Sequence, residues 1–199
     1  MNDLTPDDLL GALASRYSVG PKQLEAPAPT PEHLRLAAQI ALRAPDHQGL
    51  HPFRFVAVAP AQRDRLGTLF ARAAHRRGLD ETEIAAARRR AHNGPALLAV
   101  IGRLRGDVDD VPVEEQWVCI GGGVMNLLNA LHLLGYGAKV VSGSSVRDPE
   151  VCEAFCQPGE VLVAWVLAGT PTRSTRARHD DRVDDVLTDW TGAAPGAAA

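Results

Sequence analysis

Apolar residues fall along this chain in two patterns, stretches with helical spacing and short unbroken runs, and proline and glycine mark most of the boundaries between them. Thr5-Pro6-Asp7-Asp8 places a capping hydroxyl, a proline at the first helical position and two acids in the first turn, which predicts a helix to about Arg16. Val19-Gly20-Pro21 and Ala26-Pro27-Ala28-Pro29 make an extended linker. Thr30-Pro31-Glu32 then repeats the capping chemistry, and Leu34, Ala37, Ala38, Ala41 and Leu42 form the stripe of a second helix, from about 30 to 43, which Pro45 ends. The run 52–58 reads as a strand closed by Pro60. Residues 62–77 and 81–91 are Ala- and Arg-rich helices whose arginines coat a solvated face. A buried strand follows over 96–101, then a polar loop over 103–111. Residues 113–134 form a long apolar helix, the central one, ending at Gly135-Tyr136-Gly137. A short strand over 138–141, a short helix over 148–156 and a buried strand over 161–168 complete the order. It fits an α+β domain, a small sheet covered by helices, and not a regular βαβ array.

Size and charge narrow the classes. A chain of 199 residues is expected to form a single domain over 1–191, with a disordered tail over 192–199 rich in Ala and Gly. A formal net charge of −3 argues against a non-specific nucleic-acid binder. The longest apolar runs fall short of the ~20 residues a membrane helix needs, and the acidic start is unlike a secretory signal. Three cysteines, Cys119, Cys152 and Cys156, lack a zinc-ribbon pattern and read as reduced thiols, so a cytoplasmic protein is expected.

The candidate chemistry centres on Arg43-Ala44-Pro45-Asp46-His47, with a proline-started strand leaving at Pro52-Phe53-Arg54-Phe55. It sets a permanent guanidinium and an imidazole at a junction of elements, which suits a small anionic or hydrogen-bonding ligand. Arg16 and Ser18, two apart after a capped helix, can face the same side of an extended segment, although Arg16 and Arg43 each also read as plain cations at a helix C-terminus. His47 and His51 have a four-residue interval, but Pro45 and Pro52 oppose a helix there and no third ligand is near, so no metal site is expected. Gly121-Gly122-Gly123 lacks the G-x-G-x-x-G register of a dinucleotide fold and reads as a close helix crossing or close approach of a flat ligand. Cys152 and Cys156 lack C-x-x-C spacing and read as inert thiols.

Together, Arg16-Tyr17-Ser18-Val19, Pro27 to Thr30, Arg43 to His47 with His51 to Phe55, Gly121 to Asn126, Gly135-Tyr136-Gly137 with Ser142-Gly143, and Leu167 to Pro171 resemble the nitroreductase family of flavoproteins, closest to its minimal members with an R-A-P-D-H segment. The resemblance implies a nitroreductase-like α+β fold, a small mixed sheet flanked by helices around a long central helix. It also implies an FMN-dependent oxidoreductase that is a homodimer with flavin at the interface. NADH or NADPH would reduce flavin N5, which would then reduce a small acceptor such as a nitroaromatic or quinone, with no dedicated catalytic side chain. Arg16, Tyr17 and Ser18 match the phosphate and ribityl segment, Arg43 and His47 the residues that reach the other subunit's flavin, and Val140, Val141, Ser142 and Gly143 the segment along the reactive edge. Arg176 and Arg178 are candidates to complete the phosphate site, and Lys22 stands near the place of a basic residue beside the ring. This chain departs from the pattern at Val140 and Val141, where such members often carry tryptophan and arginine. A flavin-binding protein with little turnover, or a related flavoenzyme with a different acceptor, is the alternative that departure leaves open.

Overall fold

A computed structural model describes residues 5–173 and 183–190. Its helices begin where the capping chemistry puts them. Helix α1 spans Pro6–Ala14 behind a reciprocal Thr5–Asp8 capping box, α2 spans Pro31–Ala41 behind the Thr30 hydroxyl, and α4 spans Glu81–Arg90 behind Asp80 and Glu83. Helix α3 covers Arg63–Arg76, α5 covers Val113–Leu133, and α6 covers Pro149–Phe155 with Asp148 as its cap. Gly135, at φ +86°, ends α5 in the left-handed region that favours glycine.

The strands are β1 (Leu24–Glu25), β2 (Phe53–Ala57), β3 (Ala96–Gly102), β4 (Gly137–Val141) and β5 (Val161–Pro171). They form one sheet in the order β1-β5-β3-β2, with β4 also paired to β5. The α+β class holds, but the sheet expected to be mixed has only antiparallel ladders. Between β2 and β3 the chain makes two helices, α3 and α4, so the strands return in opposite senses where a single crossover helix would have returned them parallel. The only parallel pairing among the described residues is the lone bridge from Ser18 to Ala138. Strand β5 runs past its expected end because Gly169, Thr170 and Pro171 find partners in Gly137 and β1.

Each face of the sheet is covered. Helices α2 and α5 pack on one side against Leu98, Val100, Ala164 and Val166; α3, α4 and α6 cover the other, over Leu97, Ile101, Leu162 and Trp165. A bulge explains the odd spacing of Leu162 and Trp165. Val100 pairs with Ala164 and Ile101 with Leu162, so Val163 is the extra residue and the alternation of faces reverses there. Small residues let the α5 side close tightly: a Cβ on Gly123 would lie 2.5 Å from the Phe53 ring, and one on Gly122 would lie 3.3 Å from the Ala44 side chain. The expectation of a close crossing at this triplet is met at two of its three glycines, whereas Gly121 points away with nothing within 4 Å.

At the far edge a charged cluster ties β2 to the entry of β5. Glu160, with its side chain 7% exposed, accepts from Arg54 Nε at 2.8 Å and Nη2 at 2.5 Å, from Arg103 Nε at 3.1 Å, and from the Gln157 amide at 2.8 Å. The Arg54 hydrogen bonds are the main cause that holds its carboxyl down to about 2, against 4.5 ordinarily.

Two predictions follow from these contacts. Gly123→Ala forces the Phe53 ring to move, and the overpacking outweighs the gain in helix propensity, for a net loss of about 1–3 kcal/mol in urea unfolding. Because the folded-state pKa of Glu160 is depressed, its contribution is fully present above about pH 4.5 and is lost as pH falls toward 2. Glu160→Gln removes that dependence and costs roughly 1–2 kcal/mol at pH 7, a figure discounted for the solvent access of Arg103. Unfolding midpoints recorded across that pH range read both effects.

Candidate functional site

Strand β4 is the spine of the site. The segment after α1 runs beside its start, where Val19 donates its amide to Ala138 O at 3.0 Å and Ser18 bridges to Ala138. That approach requires glycine at 137, since a Cβ there would lie 2.7 Å from Val19 Cγ2 and 3.0 Å from Leu24 Cδ2. A cavity of about 410 Å³ opens at this end, lined among others by Arg16, Tyr17, His132, Tyr136 and Arg173. Among the described residues no Asp or Glu lines it, and neither Arg16 nor Arg173 has a carboxylate partner.

The polar groups around this cavity are mostly committed. The Tyr17 hydroxyl donates to Arg173 O at 2.9 Å, so Tyr17 ties the chain leaving β5 to the chain leaving α1. His132 Nε2 lies 2.9 Å from Ala12 O, a pure acceptor, which makes that nitrogen the protonated one; Ser15 Oγ also lies 2.9 Å from it. His33 Nδ1 and the Tyr136 hydroxyl are 2.9 Å apart. Among the described residues the two guanidiniums are the groups that remain uncommitted. Ser18 is exposed and does not line the cavity, so the expected same-side pairing with Arg16 is not seen in the lining of one chain.

At the other end of β4, Val140 packs on the α5 side and Val141 on the α3 side, as alternation along a strand requires. Ser142 and Gly143 follow, exposed, and among the described residues neither amide N–H has a protein acceptor. A Cβ on Gly143 would meet nothing within 4 Å. The next turn is anchored from below: Trp165 Nε1 donates to Ser145 Oγ at 3.2 Å, and Arg77 Nη1 to Ser144 Oγ at 2.5 Å. A second cavity, of about 270 Å³, lies under this turn and is lined by Val141, Gly143, Arg77, Arg90 and Pro21, the neighbour of exposed Lys22. Five residue steps along β4 take Gly137 to Ser142, about 16 Å of extended chain.

Arg43 and His47 line neither cavity. Both are exposed beyond the end of α2, and His47 Nδ1 sits 2.8 Å from Glu115 Oε2 at the start of α5. Asp46 shapes this loop by accepting from the amides of Leu50 at 3.0 Å and His51 at 2.9 Å. Gln48 and His51 take φ of 60° and 49°, uncommon for residues with a Cβ and a mark of a constrained loop. Exposed apolar side chains stand on three helices: Leu9, Leu10 and Leu13 of α1, Leu36 and Ile40 of α2, and Trp117, Val118 and Met125 of α5. Arg176 and Arg178 lie outside the described residues. Among those described, Arg173 is the cation that follows β5, and it was not singled out from the sequence because it stands directly after the Gly169-Thr170-Pro171 end of the strand.

Two further residues escaped the sequence reading. Gln116, 2% exposed, accepts from the Arg105 amide at 2.8 Å and donates to Arg105 O and Val111 O, fixing the loop before α5. Arg77 looked like one more surface arginine on a helix already rich in them. The cysteines are unpaired, burial pushes all three thiols up, and Cys152 donates to Val146 O.

The model of the Nitroreductase family matches residues 13–170. A Haemophilus influenzae protein named "Putative NAD(P)H nitroreductase" is 32% identical over 179 residues, covering 89% of this chain and 95% of that protein. The Escherichia coli K12 protein YdjA, given the same description, is 31% identical over 165 residues, 82% of this chain and 88% of its own. Among solved structures, a nitroreductase-like family protein from Bacillus cereus superposes with a TM-score of 0.79 at 17% identity, over 96% of this chain and 100% of that one. A Desulfovibrio desulfuricans protein solved in complex with FMN gives 0.66 at 19% identity, over 94% and 99%. With the match reaching from the end of α1 through nearly all of β5, the segments that frame both ends of β4 fall inside it, and the chain belongs to the nitroreductase family.

Proposed function

We propose that this chain is an FMN-dependent oxidoreductase that draws electrons from NADH or NADPH and passes them to a small acceptor such as a nitroaromatic or a quinone. The observation that carries the reading is the pair of guanidiniums, Arg16 and Arg173, lining a cavity with no carboxylate among the described residues at one end of β4, while two amide donors without a protein acceptor among those residues, Ser142 and Gly143, stand at the other. A phosphate at the first and a ring edge at the second suit one elongated ligand of the FMN type. The related Desulfovibrio protein was solved with FMN, and the curated relatives are named for NAD(P)H.

The residues present fit that cofactor. Arg16 and Arg173 would hold the phosphate through charge-assisted hydrogen bonds, roughly twice as strong as neutral ones. Tyr17 holds the two cationic segments together through the Arg173 carbonyl. Ser18 is free on the edge segment to meet the ribityl chain, and Lys22, exposed next to Pro21 in the lining of the second cavity, would supply a cation for the ring's polar edge. The Ser142 and Gly143 amides would donate to that edge without reorganising, because Trp165 and Arg77 hold the following turn. When bound, FMN supplies the redox chemistry that no side chain here can.

A homodimer completes the reading. The exposed apolar side chains of α1, α2 and α5 are many for a monomer to leave in water, and a second copy docked on those helices would cover them. Docking a second copy there would bring Arg43 and His47 of that copy toward this chain's β4, which accounts for their absence from both cavities. Three unpaired cysteines suit a cytoplasmic setting.

Purified protein is expected to bind FMN, and anaerobic NADH or NADPH to bleach its yellow absorbance. A colourless protein that takes up no added FMN sinks the proposal; a yellow one that neither donor reduces favours the flavin-binding protein with little turnover. Arg16→Ala raises the FMN dissociation constant about 10–100-fold in a fluorescence titration, the loss of one or two charge-assisted bonds. Val118→Glu, on a residue 68% exposed, yields a folded monomer by light scattering, and its FMN affinity falls with the dimer. Wild-type protein that is monomeric with flavin bound would contradict the shared site.

A further inference from the structure

Helix α1 carries the chain to Arg16 at the first cavity, yet packing within one protomer does not fix where α1 lies. None of its residues is buried, whereas α2, the next helix, buries Ala37 and Ala41. Beyond Arg16 the chain is tied down: the Tyr17 hydroxyl donates to Arg173 O at 2.9 Å, and Val19 donates its amide to Ala138 O at 3.0 Å. On the α1 side of Arg16, the hydrogen bonds to the rest of the fold among the described residues come from one side chain, His132 in the last turn of α5. Its Nε2 lies 2.9 Å from Ala12 O, a carbonyl that the end of α1 leaves over because the Arg16 amide turns to Leu13 O. The same nitrogen is 2.9 Å from Ser15 Oγ, which donates to that carbonyl at 2.7 Å. Ser15, Arg16 and His132 all line the cavity. Arg173 needs no such tie, since it follows Thr172, whose amide donates to Gln23 O at 2.9 Å.

We propose that His132 is a positioning residue for the cofactor's phosphate. By holding the last turn of α1 against the end of α5, it keeps the Arg16 guanidinium in the cavity that Arg173 also lines, so that both forks reach one anion. The assignment rests on the cofactor reading of this cavity. Ala12 O only accepts, so position 132 requires an N–H donor at the reach of an imidazole Nε2. A glutamine amide nitrogen supplies one at that reach, and a phenylalanine ring of similar size does not. What the tie contributes is preorganisation: a fork that must first be ordered holds an anion less tightly than one already in place. The effect is confined to the phosphate, because Ser142 and Gly143 stand at the far end of β4.

The test is fluorescence titration of FMN and of riboflavin, the same molecule without its phosphate, against full-length protein stripped of flavin. Wild type is expected to prefer FMN by a factor of about 10 or more, from two charge-assisted forks. His132→Phe cuts that preference about 3–10-fold, the range for one lost hydrogen bond, with riboflavin binding unchanged, and His132→Gln restores it. In an Arg16→Ala background His132→Phe has no further effect, since the group it positions is gone. An undiminished preference in His132→Phe, or a glutamine variant no better than the phenylalanine one, overturns the assignment. So does an equal fall in FMN and riboflavin binding, which marks a residue needed for the fold alone, or an effect that persists without Arg16. Wild-type protein that binds neither flavin, or both alike, refutes the proposed function and this inference with it. A wild type that prefers FMN, beside a His132→Phe variant that keeps the preference, refutes this inference alone.

Discussion

The edge of β5 away from β3 governs the candidate site. Strand β5 is paired on both sides, to β3 over most of its length and to β4 over Gly137–Val141, and its last residues reach β1. Two glycines let this happen: a Cβ on Gly137 would run into Val19 and Leu24, and one on Gly169 would lie 2.5 Å from Pro95 Cδ and 2.9 Å from Glu25 O. A bulkier residue at either position would push the segment 16–25 off the sheet. Arg16 would then leave the cavity it shares with Arg173, although nothing about either arginine had changed. Backbone proximity, set by missing side chains, precedes the electrostatics.

Those electrostatics are legible by contrast. Where this chain uses arginine for structure it supplies a partner: Glu160 for Arg54 and Arg103, Glu150 and Asp148 for Arg72 and Arg76, Asp107 for Arg105. Buried Arg63 is matched to carbonyls instead, with Nη1 donating to Ala91 O at 2.6 Å and Nη2 to Pro95 O at 3.3 Å, which fastens the start of α3 to the end of α4. Other surface arginines, Arg35 and Arg65 among them, also lack a carboxylate partner among the described residues, so what sets Arg16, Arg173, Arg77 and Arg90 apart is their place at the two ends of β4. A surface arginine among acids gains little from any one pair, but one whose counter-ion must come from outside the chain is available for a ligand, and the four at the two cavities are of that kind.

Much of the fold could be read from the sequence, because caps and breakers are local. Thr5, Thr30, Asp80 and Asp148 act within a few residues of themselves, and Pro45 and Gly135 stop their helices by backbone geometry alone. What escaped reading was non-local. The two-residue strand β1 has no pattern of its own and exists because Thr170 and Pro171 pair with it. Gln116 is indistinguishable in sequence from a surface glutamine until the loop before α5 folds back on it. Tyr17 looked like a ligand contact beside Arg16, yet its hydroxyl is spent on a carbonyl 156 positions away. The antiparallel ladders were likewise beyond periodicity, which carries no strand direction.

Val141 is where local and non-local readings meet. As a departure from the motif it looks like a lost guanidinium, and a loss of function would follow from that alone. In the fold it is a short branched side chain on the α3 face of β4 that leaves room beneath it, and Arg77 and Arg90 reach the same room from α3 and α4. An arginine on β4 would have carried its charge out along the strand edge and filled the space with its stem. With valine there, the charge arrives on separate helices around an apolar floor, held near the turn by a single hydroxyl. Valine at 141 thus leaves the cavity under the turn open at its β4 wall, with the arginines that line it supplied by α3 and α4 and not by the strand.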